Sequence, residues 1–182
     1  MSEGFRRLVE REVYVGHTIR VSVGTFAGPD GEVFERDCIR HPGAVAVVAI
    51  DGEEAVLVRQ YRPALDRELL EIPAGTRDRA GEEPDECARR ELAEEIGATA
   101  EGLDHLASYW VAPGISDERM HVFLATGLTF GPRASDGPEE QHMAVERIRL
   151  ADVERLIAAG TLEDAKTITG LLLARRRLGS AS

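Results

Sequence analysis

The sequence predicts an α/β sandwich in a single domain. Strand-forming segments fill most of the first half of the chain, one helix-forming segment follows, and two further helices end the sequence. Strands with a few interspersed helices are typical of a sheet covered by helices. A chain of 182 residues is long enough to bury the core that such a domain requires.

The predicted strands alternate with turn-forming sequences. Residues 12–27 are rich in Val, Ile and Thr, and a second strand at 32–40 follows the turn sequence GPDG at 28–31. Residues 44–50 form a nearly continuous apolar run, which indicates a buried central strand. Further strands are predicted at 55–61, 103–111, 120–126 and 143–150.

Three helices are predicted. The first has Pro84 in its opening turn, where Asp85 and Glu86 complement the helix dipole, and it ends at Gly97 with a left-handed cap. Its apolar stripe predicts the face that packs on the core, Ala88, Leu92 and Ile96. The other helices are predicted at 151–159 and 164–178, with loops at 112–119 and 129–141.

The first helix also places three carboxylates on about one turn. Glu91, Glu94 and Glu95 are spaced so that they point roughly the same way. Such a cluster of oxygen ligands suits a hard divalent cation, Mg²⁺ or Mn²⁺. The alternative is a solvated helix face, because Glu-rich surface helices are common. Arg90 could orient Glu94 through an i, i+4 pair or form an ordinary ion pair in solvent.

Composition excludes several classes of protein. The net charge of −11 argues against general binding to nucleic acids or acidic membranes. Cys38 and Cys87 are far apart and suggest neither a disulfide framework nor a zinc motif. No apolar run approaches membrane-spanning length, and the polar N-terminus lacks the pattern of a secretory signal. We therefore expect a cytoplasmic enzyme.

The glutamate helix and its flanks resemble the signature of the Nudix hydrolases. The sequence RELAEEIG at 90–97 matches the second half of that signature position for position. In the first half, six residues separate Gly75 from Glu82, one more than in the usual pattern. We interpret this as one extra residue in the loop at 76–81, which leaves the ligand helix unchanged.

Further segments are similar to the ADP-ribose pyrophosphatase branch of this family. They are RQYRP at 59–63, EIPAG at 71–75 and APGISDE at 112–118. Pro113 lies sixteen residues beyond Gly97, the spacing that marks this branch. The resemblance implies an α/β/α sandwich with a mixed sheet. It also implies a homodimer, in which antiparallel N-terminal strands within 1–43 lie at or across the interface and the catalytic core covers 44–182.

The activity implied by the resemblance is metal-dependent hydrolysis of ADP-ribose to AMP and ribose 5-phosphate. By similarity, Glu91 and Glu95 are the principal metal ligands. Glu94 is a third ligand, binds through water or takes part in catalysis. The backbone carbonyl of Ala74 completes the shell, since Gly75 allows a close approach.

The resemblance assigns substrate binding to Arg59 and Arg62, whose guanidinium forks bind phosphate oxygens. These arginines are three apart on a strand, so a bend near Pro63 is needed for them to converge. Glu71 either binds the adenine amine or pairs with an arginine. Tyr109 or Trp110 could stack on the base or belong to the core. Further contacts are expected from the 112–118 loop, at Gly114, Ser116 and Glu118.

The catalytic base is expected in the loop at 131–142. Glu139 is the preferred residue and Glu140 the second, and the alternative is that both are solvated loop charges. His142 is a weaker candidate. Two other functions stay open, a Nudix enzyme for another nucleoside diphosphate sugar or nucleotide and a non-catalytic ADP-ribose sensor. Retention of all three helix glutamates favours catalysis.

Overall fold

The computed structural model describes residues 4–133 and 142–179. In chain order these residues form strands β1 to β7, helix α1, strands β8 to β10 and helices α2 and α3. The bounds are β1 Arg6–Val15, β2 Arg20–Ala27, β3 Val33–Arg40, β4 Ala44–Asp51, β5 Glu54–Arg62, β6 Arg67–Glu71, β7 Ala74–Thr76, α1 Pro84–Ile96, β8 Ala98–Trp110, β9 Arg119–Phe130, β10 Ala144–Arg149, α2 Val153–Ala158 and α3 Ala165–Gly179. A 3₁₀ turn, Leu150–Asp152, precedes α2.

The chain divides into two compact units. The first contains Met1–Gly43 and Tyr109–Met120, and the second contains Ala44–Ser108 and His121–Ser182. Within the described parts of the chain, no helix is long and apolar enough to cross a membrane. The expectation of one domain stays a prediction.

The first unit contains an antiparallel sheet in the order β1-β2-β3. The prediction of one continuous strand over residues 12–27 is wrong. The chain reverses after Val15, where the Gly16 N–H donates to the Ile19 carbonyl at 2.9 Å, and β1 pairs back along β2. Gly16 interrupts an otherwise strand-like sequence, so residue type alone concealed the hairpin.

The second unit is built on a seven-stranded sheet. Its path is β10-β5-β4-β9-β8, with β6 paired to β5 and β7 paired to β4. The two short strands β6 and β7 were not predicted. Central strand β4 is buried along almost its whole length, as its apolar run predicts.

Alternate residues of β4 face two different helices. Val45, Val47 and Ala49 belong to one hydrophobic cluster with the apolar stripe of α1. On the other face, a methyl group at Gly170 of α3 would lie 2.9 Å from Val48 Cγ2, so α3 packs closely there. Because successive side chains of a strand point to opposite faces, this sheet lies between α1 and α3. The predicted α/β class, with a mixed sheet and few helices, is confirmed.

Candidate active site

Helix α1 begins and ends where the sequence predicts. Pro84 is its first residue, and the Glu83 N–H donates to the Glu86 carboxylate at 3.1 Å. This bond satisfies one of the amides that a helix N-terminus leaves without an intrahelical partner. At the other end, Gly97 has φ 64° and donates its N–H to the Leu92 carbonyl. The caps fix the turn that carries the three glutamates.

Two of these glutamates are buried. Glu91 is 5% exposed and Glu95 is 4% exposed, beside the fully buried Leu92. Carboxylates at this depth require hydrogen bonds or countercharges. The alternative of a solvated helix face is therefore wrong for Glu91 and Glu95.

Strand β7 lies against both buried carboxylates. The Ala74 N–H donates to Glu95 at 3.1 Å. A methyl group built at Gly75 would overlap the Glu91 carboxylate, so only glycine allows this approach. Gly75 pairs with Val45, which joins β7 to the central strand β4. The predicted ligand helix and Ala74, the predicted backbone ligand, therefore lie next to each other.

Arg90 lies among the acidic side chains. It donates to Glu82 at 2.9 and 3.1 Å, to Glu91 at 2.6 Å and to Glu94 at 2.8 Å. Its side chain is 15% exposed, so these bonds are partly shielded from water. The i, i+4 pair with Glu94 is present, and Arg90 offsets the mutual repulsion of the carboxylates.

The charges of this cluster shift the pKa of its members. The hydrogen bond from Arg90 holds the pKa of Glu82 below its ordinary value. Hydrogen bonding to Glu82 and the charge of Glu91 raise the pKa of Arg90. Glu94 is additionally reached by Arg79 at 3.2 Å. Both shifts favour the charged forms of Glu82 and Arg90.

The donor set fits a hard divalent cation by its chemistry. Glu91, Glu94 and Glu95 offer carboxylate oxygens, and β7 adds backbone oxygens beside them. Among the described residues, no three acidic, histidine or cysteine side chains form a ready-made metal cluster. Two of the three glutamates instead accept hydrogen bonds from Arg90.

Arg62 and Glu71 form a second charged group. Arg62 Nε and Nη2 donate to the two carboxylate oxygens of Glu71 at 2.7 and 2.5 Å. Lys166 also donates to Glu71, which is completely buried. Burial alone would raise the pKa of Glu71, but the bonds from Arg62 and the charge of Lys166 outweigh it and lower this pKa. The structure thus shows Glu71 paired with an arginine, one of the two alternatives that the sequence left open for this residue.

Arg59 has different partners from Arg62. It donates to Glu146 of β10 at 2.5 and 3.2 Å. Strand β5 extends through Arg62, and the chain turns directly after it, over residues 63–66. The pKa of Arg62 is raised by its hydrogen bonds to Glu71 and, more weakly, by the charges of Asp164 and Glu95. The charge of Glu95, a predicted metal ligand, thus acts on Arg62. The pKa of Arg59 is raised instead by Glu146 and Glu68.

The remaining predicted contacts lie elsewhere in the chain. Gly114, Ser116 and Glu118 belong to the first unit, where the Glu118 N–H donates to Ser116 Oγ at 3.1 Å. Trp110 is 49% exposed with the Arg119 guanidinium 4.9 Å from its ring centre, so it is not a core residue. Glu139 and Glu140 lie outside the described residues.

The sequence interpretation missed Lys166 entirely. The available signal was that Lys166 is the only lysine in the chain, two residues after an aspartate at the start of a predicted helix. The role of Glu82 was also left open. In the structure Glu82 accepts a hydrogen bond from Arg90.

A cavity of about 770 Å³ lies in the first unit and contains none of the predicted metal ligands. It is lined by polar groups that include Glu10, Ser22, Arg40 and Asp117. Its size is therefore no guide to the chemistry of the glutamate helix.

A known protein family matches most of the chain. The model of the NUDIX domain family matches residues 40–171, which include α1, β7 and the Arg62–Glu71 pair. The chain belongs to this family.

Several curated relatives cover most of the chain. An ADP-ribose pyrophosphatase of Bacillus subtilis is 36% identical over 89% of this chain and 88% of the relative. An ADP-ribose pyrophosphatase of Mycobacterium tuberculosis is 39% identical over 79% and 70%. A protein of Bacillus methanolicus named methanol dehydrogenase activator is 35% identical over 86% and 85%.

A solved structure supports the fold. The crystal structure of an ADP compounds hydrolase superposes with a TM-score of 0.86 over 98% of this chain and 96% of the other, at 24% identity.

Proposed function

We propose that this protein is a divalent-metal-dependent diphosphatase that hydrolyses ADP-ribose to AMP and ribose 5-phosphate. The observation that carries the proposal is the pair of buried carboxylates, Glu91 and Glu95, held against the backbone of β7 at Ala74 and Gly75. Relatives that are named ADP-ribose pyrophosphatases support the choice of substrate.

Glu91, Glu95 and the Ala74 carbonyl would hold the cation, with Glu94 as a third ligand, directly or through water. Mg²⁺ or Mn²⁺ fits these oxygen donors. When bound, the ion supplies charge neutralisation of the diphosphate and activation of water. Arg90 keeps Glu91 and Glu94 on the same side of α1 through its hydrogen bonds.

The substrate would be bound by the arginines of β5. The Arg62 side chain is 38% exposed, and its guanidinium is already oriented by Glu71. Arg59 bonds Glu146 through Nε and Nη2, so its Nη1 edge is the one proposed to bind phosphate. Gly114, Ser116 and Glu118 are proposed as further contacts, and Glu139, with Glu140 second, as the group that orients and deprotonates the attacking water.

We also propose a cytoplasmic homodimer without nucleic-acid partners. Both cysteines are free thiols, which suits a reducing compartment. Strand β1 exposes apolar side chains that a second copy could cover, among them Leu8, Val9, Val13 and Tyr14. The net charge of −11 disfavours nucleic acids.

The test is chromatographic product analysis with ADP-ribose, with and without Mg²⁺ or Mn²⁺. The panel includes other ADP-sugars, GDP-mannose, NADH and diadenosine polyphosphates. Metal-dependent release of AMP, fastest from ADP-ribose, is the expected result. Faster cleavage of another compound would contradict the substrate but keep the chemistry. Tight binding of ADP-ribose without cleavage would contradict catalysis and favour a sensor.

A further inference from the structure

Lys166 lies in a group of four charged side chains at the start of α3. Its ammonium donates to Glu71 and lies 3.1 Å from Asp164. The side chain is only 13% exposed, and Glu71 is shared with Arg62. Two cations thus balance two carboxylates in a poorly solvated place. Removing one partner from such a group leaves an uncompensated charge and displaces the others.

The same turn of α3 is also hydrogen-bonded to the segment that precedes strand β7. Thr167 Oγ1 accepts from the Ile72 N–H at 2.9 Å and donates to Asp164 at 2.6 Å. Asp164 also accepts from the Thr167 N–H at 2.9 Å, which satisfies an amide at the helix N-terminus. Lys166 and Thr167 therefore hold adjacent residues, Glu71 and Ile72, of the segment that leads to Ala74.

Glu71 in turn orients Arg62. Both bonds use one edge of the guanidinium, Nε and Nη2, which leaves the edge with Nη1 for another ligand. Because Lys166 supplies a second countercharge, Glu71 is neutralised without taking both edges of Arg62. Glu71 begins the 71–75 segment, and this segment reaches the glutamate site because the Ala74 N–H donates to Glu95 at 3.1 Å.

We propose that Lys166 is a positioning residue for the diphosphate site. Through Glu71 it orients the Arg62 guanidinium toward the phosphate groups, and with Thr167 it holds the 71–75 segment against α1. The role in phosphate binding rests on the proposed function, whereas the effect on the 71–75 segment does not.

The experiment compares steady-state hydrolysis of ADP-ribose by full-length variants. They are Lys166→Met, Lys166→Arg, Arg62→Ala and the double variant Arg62→Ala/Lys166→Met. The matched control is Arg175→Met, on the same helix, where Arg175 makes an ion pair with Glu154 at 2.8 Å. Thermal unfolding of each variant identifies any that do not fold.

Lys166→Met is expected to raise KM about tenfold and to change kcat by less than about threefold. Lys166→Arg should restore most of the loss, since it keeps the charge. In the Arg62→Ala background, Lys166→Met should have little further effect, because the two act through one contact. The proposal would be overturned if the effects of Arg62→Ala and Lys166→Met on KM multiplied in the double variant. It would also be overturned if Lys166→Met had the same KM as Arg175→Met.

A readout without substrate separates this inference from the proposed function. Amide hydrogen exchange at Ile72 and Ala74 should be faster in Lys166→Met than in wild type and unchanged in Arg175→Met. Unchanged exchange in Lys166→Met would reject the positioning of the 71–75 segment. If wild type does not cleave ADP-ribose, the proposed function fails, and the exchange result still decides whether Lys166 positions this segment.

Discussion

Glu91, Glu94 and Glu95 share one helical turn but have different surroundings. Glu95 is bonded to the backbone of β7, Glu91 faces Gly75 and Arg90, and Glu94 is paired with Arg79 and Arg90. Of these three glutamates, Glu91 and Glu95 are buried, whereas Glu94 is partly exposed. A side chain that is buried for packing alone would not be a carboxylate, since an apolar residue avoids the cost of desolvation.

We predict that Glu95→Gln lowers kcat for ADP-ribose by at least about 100-fold at saturating Mg²⁺. The amide can still accept the Ala74 hydrogen bond, so the fold should be retained while the negative charge is lost. The control is Asp85→Asn, an exposed acidic residue on the same helix, which should keep normal turnover. Near-normal rates for Glu95→Gln would contradict its assignment as a metal ligand.

At the scale of elements, the three strands of the first unit are joined by one carboxylate. Glu10 of β1 accepts from Ser22 of β2 at 2.5 Å and from Arg40 of β3 at 2.7 and 2.9 Å. Arg40 in turn donates to Asp117 at 3.0 Å. Hydrogen bonding from Arg40, then from Ser22, lowers the pKa of Glu10 from 4.5 to about 2.

This shift predicts how stability depends on pH. Because the pKa of Glu10 is lower in the folded state, its contribution is present above pH 4.5 and is lost as pH falls toward 2. Glu10→Gln should therefore be less stable than wild type at neutral pH, and the difference should shrink on acidification. Urea midpoints across this range measure it, with Glu12→Gln on the same strand as control. A difference independent of pH would contradict the prediction.

Among the elements, sequence reasoning succeeded for α1 and failed for short or reversing strands. The caps and stripe of α1 follow from residues within one helix. Strands β6 and β7 form because other strands supply their hydrogen bonds: β6 pairs back along the preceding strand β5, and β7 pairs with the more distant β4. Their sequences carry little strand propensity of their own, particularly at Ala74 and Gly75.

At the scale of the whole molecule, the exposed apolar residues of β1 predict self-association. In sedimentation equilibrium we expect about twice the chain mass of 19.9 kDa at micromolar concentration. Val13→Glu should shift the equilibrium toward monomer, because it introduces charge among the exposed apolar side chains of β1. Leu172→Glu, at another exposed apolar residue, on α3, is the control. A monomeric wild type would contradict the proposed dimer.

The sequence by itself determined the α/β class, the glutamate helix with its caps, and the family resemblance. These depend on residue spacing within short segments, which sets local backbone geometry and the directions of side chains. Only the tertiary structure decided that Glu71 forms ion pairs with Arg62 and Lys166, that Arg59 pairs with Glu146, and that Gly75 contacts Glu91. Most of these contacts join segments far apart in the chain, as with Lys166 and Glu71, and such pairings arise from packing against the sheet.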